Sequence, residues 1–218
     1  MSDELVFYTN PMSRGRIVRW MLEEVGQPYR TEVLGYGPAM KSPEYLALNP
    51  MGKVPAITHR GVVVTEGAAI CAYLADAFPE AGLAPEPGSP ERGTYYRWMF
   101  FAAGPGEAAI TAKSMNLLAP ADKAGQAGYG SFESMVGGLE HAIANGGPYL
   151  LGERFSAADV YFGSQIGWGM MFGTLPANPV FQAYSQRLRE RPAAKRAAEL
   201  DDAAAAEGGP PLTPRPTA

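Results

Sequence analysis

The stretch Asn49–Ile57, NPMGKVPAI, and the stretch Val62–Asp76, VVVTEGAAICAYLAD, decide the fold of the N-terminal third of the chain. Val54–Thr58 and Val62–Thr65 are short apolar runs on either side of His59-Arg60-Gly61, a turn whose glycine can take a positive φ, so together they predict a β-hairpin. Gly67–Ala77 then places Ile70, Cys71, Leu74 and the following Phe78 on one helical face. Upstream, SPEYLAL from Ser42 has a capping serine and a proline at the first helical position, which predicts a short helix. Pro28–Leu34 (PYRTEVL) alternates as a strand. Arg14–Val25 spaces Ile17, Val18, Met21, Leu22 and Val25 as a helix that stops at Gly26, and Glu4–Tyr8 (ELVFY) is a first strand. The order is strand, helix, strand, helix, strand, strand, helix over residues 1–78.

After Phe78 the composition changes. Residues 79–90 carry prolines and glycines that no helix tolerates, and they predict a linker. Residues 91–192 then read as helical. A long aromatic-rich pattern from Glu91 to about Leu118 is interrupted at Gly104-Pro105-Gly106, and a second helix is expected from about Ala121 to Ala144. Ser156 and Asp159 have capping-box spacing ahead of the apolar run VYFGSQIGWGMMF, and a last helix follows Pro179. Residues 193–218 are expected to form a tail, alanine-rich at first and disordered through GGPPLTPRPTA.

The 218 residues are 46% hydrophobic and 18% charged, which is the composition of a soluble globular chain. A net charge of -4 gives no global reason to expect nucleic acid or an anionic membrane as partner. Cys71 is the only cysteine, so an intramolecular disulfide, a CxxC pair and a cysteine-rich zinc site are excluded, and a reducing compartment fits. His59 and His141 are too few for a histidine metal cluster, and no metal is expected. The N-terminus lacks the pattern of a signal peptide. The uncharged stretch Val160–Gln186 is broken by glycine, polar residues and two prolines, so a buried helix followed by a loop is expected rather than a membrane span. A cytoplasmic protein is the resulting expectation.

The element order, the proline-rich linker and the helical second half resemble the cytosolic glutathione S-transferase architecture. That architecture is an α/β thioredoxin-like N-terminal domain plus an all-α C-terminal domain. Four segments carry the resemblance in the right order: Phe7–Glu24, Asn49–Ile57, Val62–Asp76 and Tyr149–Gly163. The resemblance implies a cis Val54–Pro55 bond, with the Val54 backbone turned to pair with the cysteinyl part of glutathione. It implies that Glu66 takes the ammonium of the glutamyl end and that the helix start at Gly67 takes the neighbouring carboxylate, since open N–H groups and the helix dipole favour an anion there. Where the family commonly has serine this chain has Gly67, a loss of one hydrogen bond worth about 0.5–1.5 kcal/mol. Lys53 is the expected partner of a glutathione carboxylate, with Lys41 as a second candidate.

The implied chemistry needs a thiolate. A free thiol has a pKa near 8.5, so lowering it by about two units takes about 2.7 kcal/mol. A hydroxyl donating to the sulfur anion supplies about 1.5–3 kcal/mol and a helix start about 0.3–1 more. The turn after the first strand offers Tyr8, Thr9, Asn10 and Ser13. Pro11-Met12-Ser13 is similar to the Pro-x-Ser turn of serine-type members, which favours Ser13; the same hydroxyl could instead cap the following helix. Tyr8 is the second candidate, and Asn10 could assist either. Cys71, inside a helix, reads as a buried small hydrophobe.

For an apolar electrophile held between the domains, Met99 and Trp168 are the expected lining residues, drawn from aromatic and methionine stripes that also serve as core. The resemblance implies a homodimer. Peroxidase or isomerase chemistry would use the same thiolate, and a glutathione-binding or structural module without turnover is the rival of another class. A glutaredoxin-like reductase needs a cysteine in the turn, which this chain lacks.

Overall fold

The computed structural model describes residues 4–208. The chain divides into two compact units, one made of the residues up to Ala81 with the segment that starts at Arg191, the other of Gly82–Glu190.

The first unit is built on four strands, β1 (Val6–Thr9), β2 (Arg30–Val33), β3 (Ala56–His59) and β4 (Val62–Thr65), in the order β2-β1-β3-β4. β1 is parallel to β2 and antiparallel to β3, and β3 and β4 form the expected hairpin. Three helices alternate with them: α1 (Gly15–Val25), α2 (Pro43–Leu48) and α3 (Gly67–Ala77). Strand alternation sends Phe7 and its partner Ile57 to one face, where they join Ile17, Met21 and Leu22 of α1 and Ile70 and Leu74 of α3 in a core with every side chain under 2% exposed. Each such side chain contributes about 1.5–3 kcal/mol by leaving water. Tyr8, paired with Ala56, points to the other face, and its ring meets Tyr45 of α2 at 5.8 Å.

The register decides where the loops go. Tyr8 lies beside Ala56, and Ala56 beside Thr65, so the end of β1, the start of β3 and the end of β4 share one end of the sheet. Neighbouring strands are about 4.8 Å apart, so segments leaving these three termini lie within about 10 Å across the sheet.

The second unit contains α4 (Pro90–Phe101), α5 (Glu107–Ser114), α6 (Phe132–Gly146), α7 (Ala157–Met171) and α8 (Pro179–Arg189). The interruption expected at Gly104-Pro105-Gly106 is a π-helical turn, Ala102–Gly106, which absorbs the proline without breaking the run from α4 to α5. α7 is buried along most of its length, as its uncharged sequence requires. Asp159 at its start accepts from the N–H groups of Leu150 and Ser156 and from the hydroxyls of Ser156 and Tyr184. Burial pushes its carboxyl pKa up against the pull of those four donors. Among the described residues no helix is long and apolar enough to cross a membrane.

Two expectations need correction. The helix expected from Ala121 is a 3-10 turn over Ala121–Gln126 and a loop, and α6 starts only at Phe132; Gly130 takes a φ of 66° there, and Ser131 caps the helix by accepting the Ser134 N–H. The alanine-rich start of the expected tail is a helix, α9 (Pro192–Gly208), packed on α1 in the first unit. Ion pairs join the two helices, Arg16 with Asp202, Arg19 with Asp201 and Glu23 with Arg196, and Glu24 pairs with Arg191 just ahead of α9. Arg19 and Asp201 are buried, and the Arg19 guanidinium also lies over the rings of Phe7 and Tyr29. The disorder expected after Gly208 falls outside the described residues.

Candidate active site

The end of the sheet where β1, β3 and β4 converge collects the N-terminal candidates. The turn leaving β1 is organised by Asn10, which is buried. Its Nδ2 donates to the Leu34 carbonyl at 2.8 Å, and its Oδ1 accepts from the Met12 N–H at 2.9 Å. Both ends of the amide are therefore committed to backbone, and Asn10 shapes the turn.

Ser13 is half-buried, two residues ahead of α1. Its Oγ accepts from the Gly15 N–H at 2.9 Å, and its own proton goes to the Asn10 carbonyl at 2.6 Å. Arg14, not Ser13, takes the cap position of α1, yet the Ser13 oxygen holds the first N–H of the helix, and any other acceptor for the Ser13 proton has to displace Asn10 O. Gly15 is required here, because a Cβ on it would lie 2.0 Å from Thr9 Oγ1. Tyr8 is half-buried rather than core, and among the described residues its hydroxyl has no hydrogen-bond partner.

The loop before β3 is the second component. Val54–Pro55 is cis, as expected. Val54 is half-buried, and among the described residues its backbone N–H and C=O make no hydrogen bond. The Lys53 side chain is exposed, and its carbonyl accepts from the Tyr45 hydroxyl at 2.6 Å and from Asn49 Nδ2 at 2.8 Å. Tyr45 is 4% exposed, and burial pushes its phenol pKa up to about 12. Lys41 donates to the Met51 and Gly52 carbonyls at 2.9 and 3.2 Å, so two of its three ammonium protons brace the loop and one remains. Gly52 has a φ of 56° and admits no Cβ, which would come 2.6 Å from Met40 O.

Glu66, between β4 and α3, is the third component. It is exposed, it has the unusual φ of 68°, and no side chain caps the helix start that it precedes. A non-glycine residue in that region costs about 1–3 kcal/mol, a strain found more often at functional sites than elsewhere. Gly67 follows as the first residue of α3, half-buried.

Ser13, Tyr8, Asn10, Lys53, Val54, Pro55, Glu66 and Gly67 therefore gather at one end of one sheet, with Lys41 bracing the loop between them. Met99 and Trp168 belong to the second unit. Met99 is 1% exposed and part of its core, which leaves no surface with which to line a substrate site, whereas Trp168 is half-buried on α7. Sequence reasoning passed over Tyr45 and Asn49. Asn49 opens the quoted stretch, but nothing in one dimension tells that its amide and the Tyr45 hydroxyl meet on the same carbonyl.

Comparison with known proteins identifies the family that the chain resembles. Residues 12–77 match the family model described as glutathione S-transferase, N-terminal domain. The glutathione S-transferase-like protein OpS6 of Beauveria bassiana is 30% identical over 196 residues, which cover 83% of this chain and 88% of that protein. The crystal structure of a glutathione transferase from Methylococcus capsulatus is 28% identical, with a TM-score of 0.74, covering 91% of this chain and 99% of that one. A sphingomonad glutathione S-transferase complexed with glutathione is also 28% identical, with a TM-score of 0.71, covering 90% of this chain and 98% of that one.

Proposed function

Because the chain belongs to the glutathione S-transferase family, we propose that it binds glutathione across the gathered end of the sheet and activates its thiol with Ser13. The observation that carries this reading is the open backbone of Val54, flanked on one side by the Ser13 turn and on the other by Glu66 and the uncapped start of α3. An extended peptide pairs with Val54 through one N–H and one C=O. Its glutamyl carboxylate then meets the Gly67 N–H, its ammonium meets the Glu66 carboxylate, and Lys53 meets the carboxylate at the other end. Lys41 keeps its remaining proton for the same ligand.

The thiol is left at the Ser13 turn. Ser13 turns its hydroxyl from Asn10 O to the sulfur, while the Gly15 N–H continues to hold the oxygen. The thiol proton passes to water, the thiolate attacks an apolar electrophile to form a C–S bond, and the electron pair of the broken bond leaves with the displaced group. The work of the protein is positioning and anion stabilisation. The Tyr8 hydroxyl supports a second reading, because Tyr8 is half-buried and its hydroxyl has no partner to give up among the described residues. A homodimer is part of the proposal, supported by the exposed apolar side chains of Met51, Val62 and Val63. Light scattering that finds only monomer at micromolar concentration refutes it. A cytoplasmic site of action is supported by the lone, buried Cys71.

The test is the ultraviolet thiolate absorbance of bound glutathione against pH. A bound thiol pKa well below 8.5 that returns toward it in Ser13→Ala supports the proposal. A low pKa that survives Ser13→Ala and is lost in Tyr8→Phe moves the role to Tyr8, and absence of binding refutes glutathione chemistry.

A further inference from the structure

We infer that Tyr45 and Asn49 are positioning residues that aim the Val54 N–H at the ligand, an inference that rests on the proposed use of the Val54 backbone. The Lys53 carbonyl and the Val54 N–H belong to one peptide group. That group is planar, and Val54–Pro55 is the only cis bond among the described residues, so the Lys53–Val54 bond is trans. In a trans peptide the C=O and N–H point in opposite directions. Whatever fixes the Lys53 oxygen therefore fixes the Val54 N–H with the opposite sense.

Two donors fix it. The Tyr45 hydroxyl at 2.6 Å and Asn49 Nδ2 at 2.8 Å engage the two lone pairs of the Lys53 oxygen, and both residues are only 4% exposed. The donors are themselves held. Asn49 Oδ1 accepts from the Met51 N–H at 3.1 Å, the Asn49 carbonyl accepts from Gly52 N–H, and the Asn49 N–H returns to the Tyr45 carbonyl. The oxygen is drawn toward α2, and the Val54 N–H is turned away from that helix, without a partner among the described residues. A peptide free to rotate would lose this direction before each binding event, so the cost of losing either donor falls on ligand affinity.

The experiment measures glutathione binding by calorimetry and steady-state kinetics in the wild-type protein, Tyr45→Phe and Asn49→Ala. Tyr45→Phe keeps the ring against Tyr8 and removes only the hydroxyl. Each variant is expected to raise the Kd and KM for glutathione roughly five- to tenfold. At saturating glutathione, kcat and the bound thiol pKa stay within about twofold and about 0.3 units of wild type, because the sulfur's donor is untouched. A glutathione analogue with CH2 in place of the cysteinyl carbonyl cannot accept from Val54, so wild type and Tyr45→Phe bind it equally weakly. That equality is a readout that loss of general stability would not produce. Wild-type Kd values in both variants overturn the inference, as does an equal penalty for glutathione and the analogue. A wild-type protein that binds no glutathione overturns the parent reading and this one with it, whereas tight wild-type binding with unaffected variants overturns this one alone.

Discussion

The turn at residues 10–15 and the loop at residues 49–55 meet at the same end of the sheet but are held in opposite ways. The turn has its polar side chains engaged: Asn10 spends both ends of its amide on backbone, at Met12 within the turn and at Leu34 outside it, and Ser13 spends its proton on Asn10 O. The loop is held by its carbonyls, which Tyr45, Asn49 and Lys41 engage, while among the described residues the backbone of Val54 stays unpaired. A side chain that has to act can be parked in an internal hydrogen bond and released. A backbone that has to bind cannot be parked, and it is instead kept open by neighbours that fix the peptide before it.

The largest expected effect tests the turn. Ser13→Ala is expected to lower kcat/KM by about tenfold to a hundredfold, the worth of one hydroxyl on a thiolate, in a steady-state assay with an excess of electrophile. An unchanged kcat/KM would mean that the parked proton is never released. Gly15→Ala breaks the turn by another route, forcing a Cβ to 2.0 Å from Thr9 Oγ1. It is expected to cost about 1–3 kcal/mol in urea unfolding, and pairing it with Thr9→Ala should restore part of that.

Two smaller effects address the loop. Lys53→Ala removes an exposed charge and should raise the KM for glutathione by no more than about fivefold at fixed kcat, with a milder effect at high salt. The smallest lies in the alkaline limb of stability. Burial raises the phenols of Tyr45 and Tyr29 to about 12. Between their ordinary value near 10 and about 12 the unfolded chain loses these protons while the folded chain keeps them, so stability falls as pH rises. Tyr45→Phe removes one of the two phenols, and its denaturation midpoint should fall less steeply across that window; equal slopes would show that Tyr45 is not held protonated.

Most of the first unit was legible because its signals are local. The hairpin at His59-Arg60-Gly61, the proline of Val54–Pro55 and the capped start of α2 each depend on residues close in sequence. What escaped depends on residues brought together from afar. The convergence on the Lys53 oxygen joins a helix and a loop whose patterns carry no sign of each other. Met99 sits in a stripe that suits a core as well as a substrate wall, and only packing decides between them. The start of α6 was misplaced because alanine favours a helix from residue 121, while the backbone at Gly130 turns away. The return of α9 left one trace, that the charges at 16, 19, 23 and 24 are answered by partners at 202, 201, 196 and 191, in the reverse order of an antiparallel pair. That trace becomes readable once both helices are known to touch.

The return of α9 has a consequence for how the protein is made. The first unit is discontinuous in sequence, and α1 lacks the carboxylate facing buried Arg19 until the ribosome has passed Asp201. The second unit, although translated later, is encoded without interruption and has all its residues when synthesis reaches Glu190. The first unit is therefore the last to be completed on the ribosome, and a nascent chain released early carries a finished helical unit and an unsealed first one.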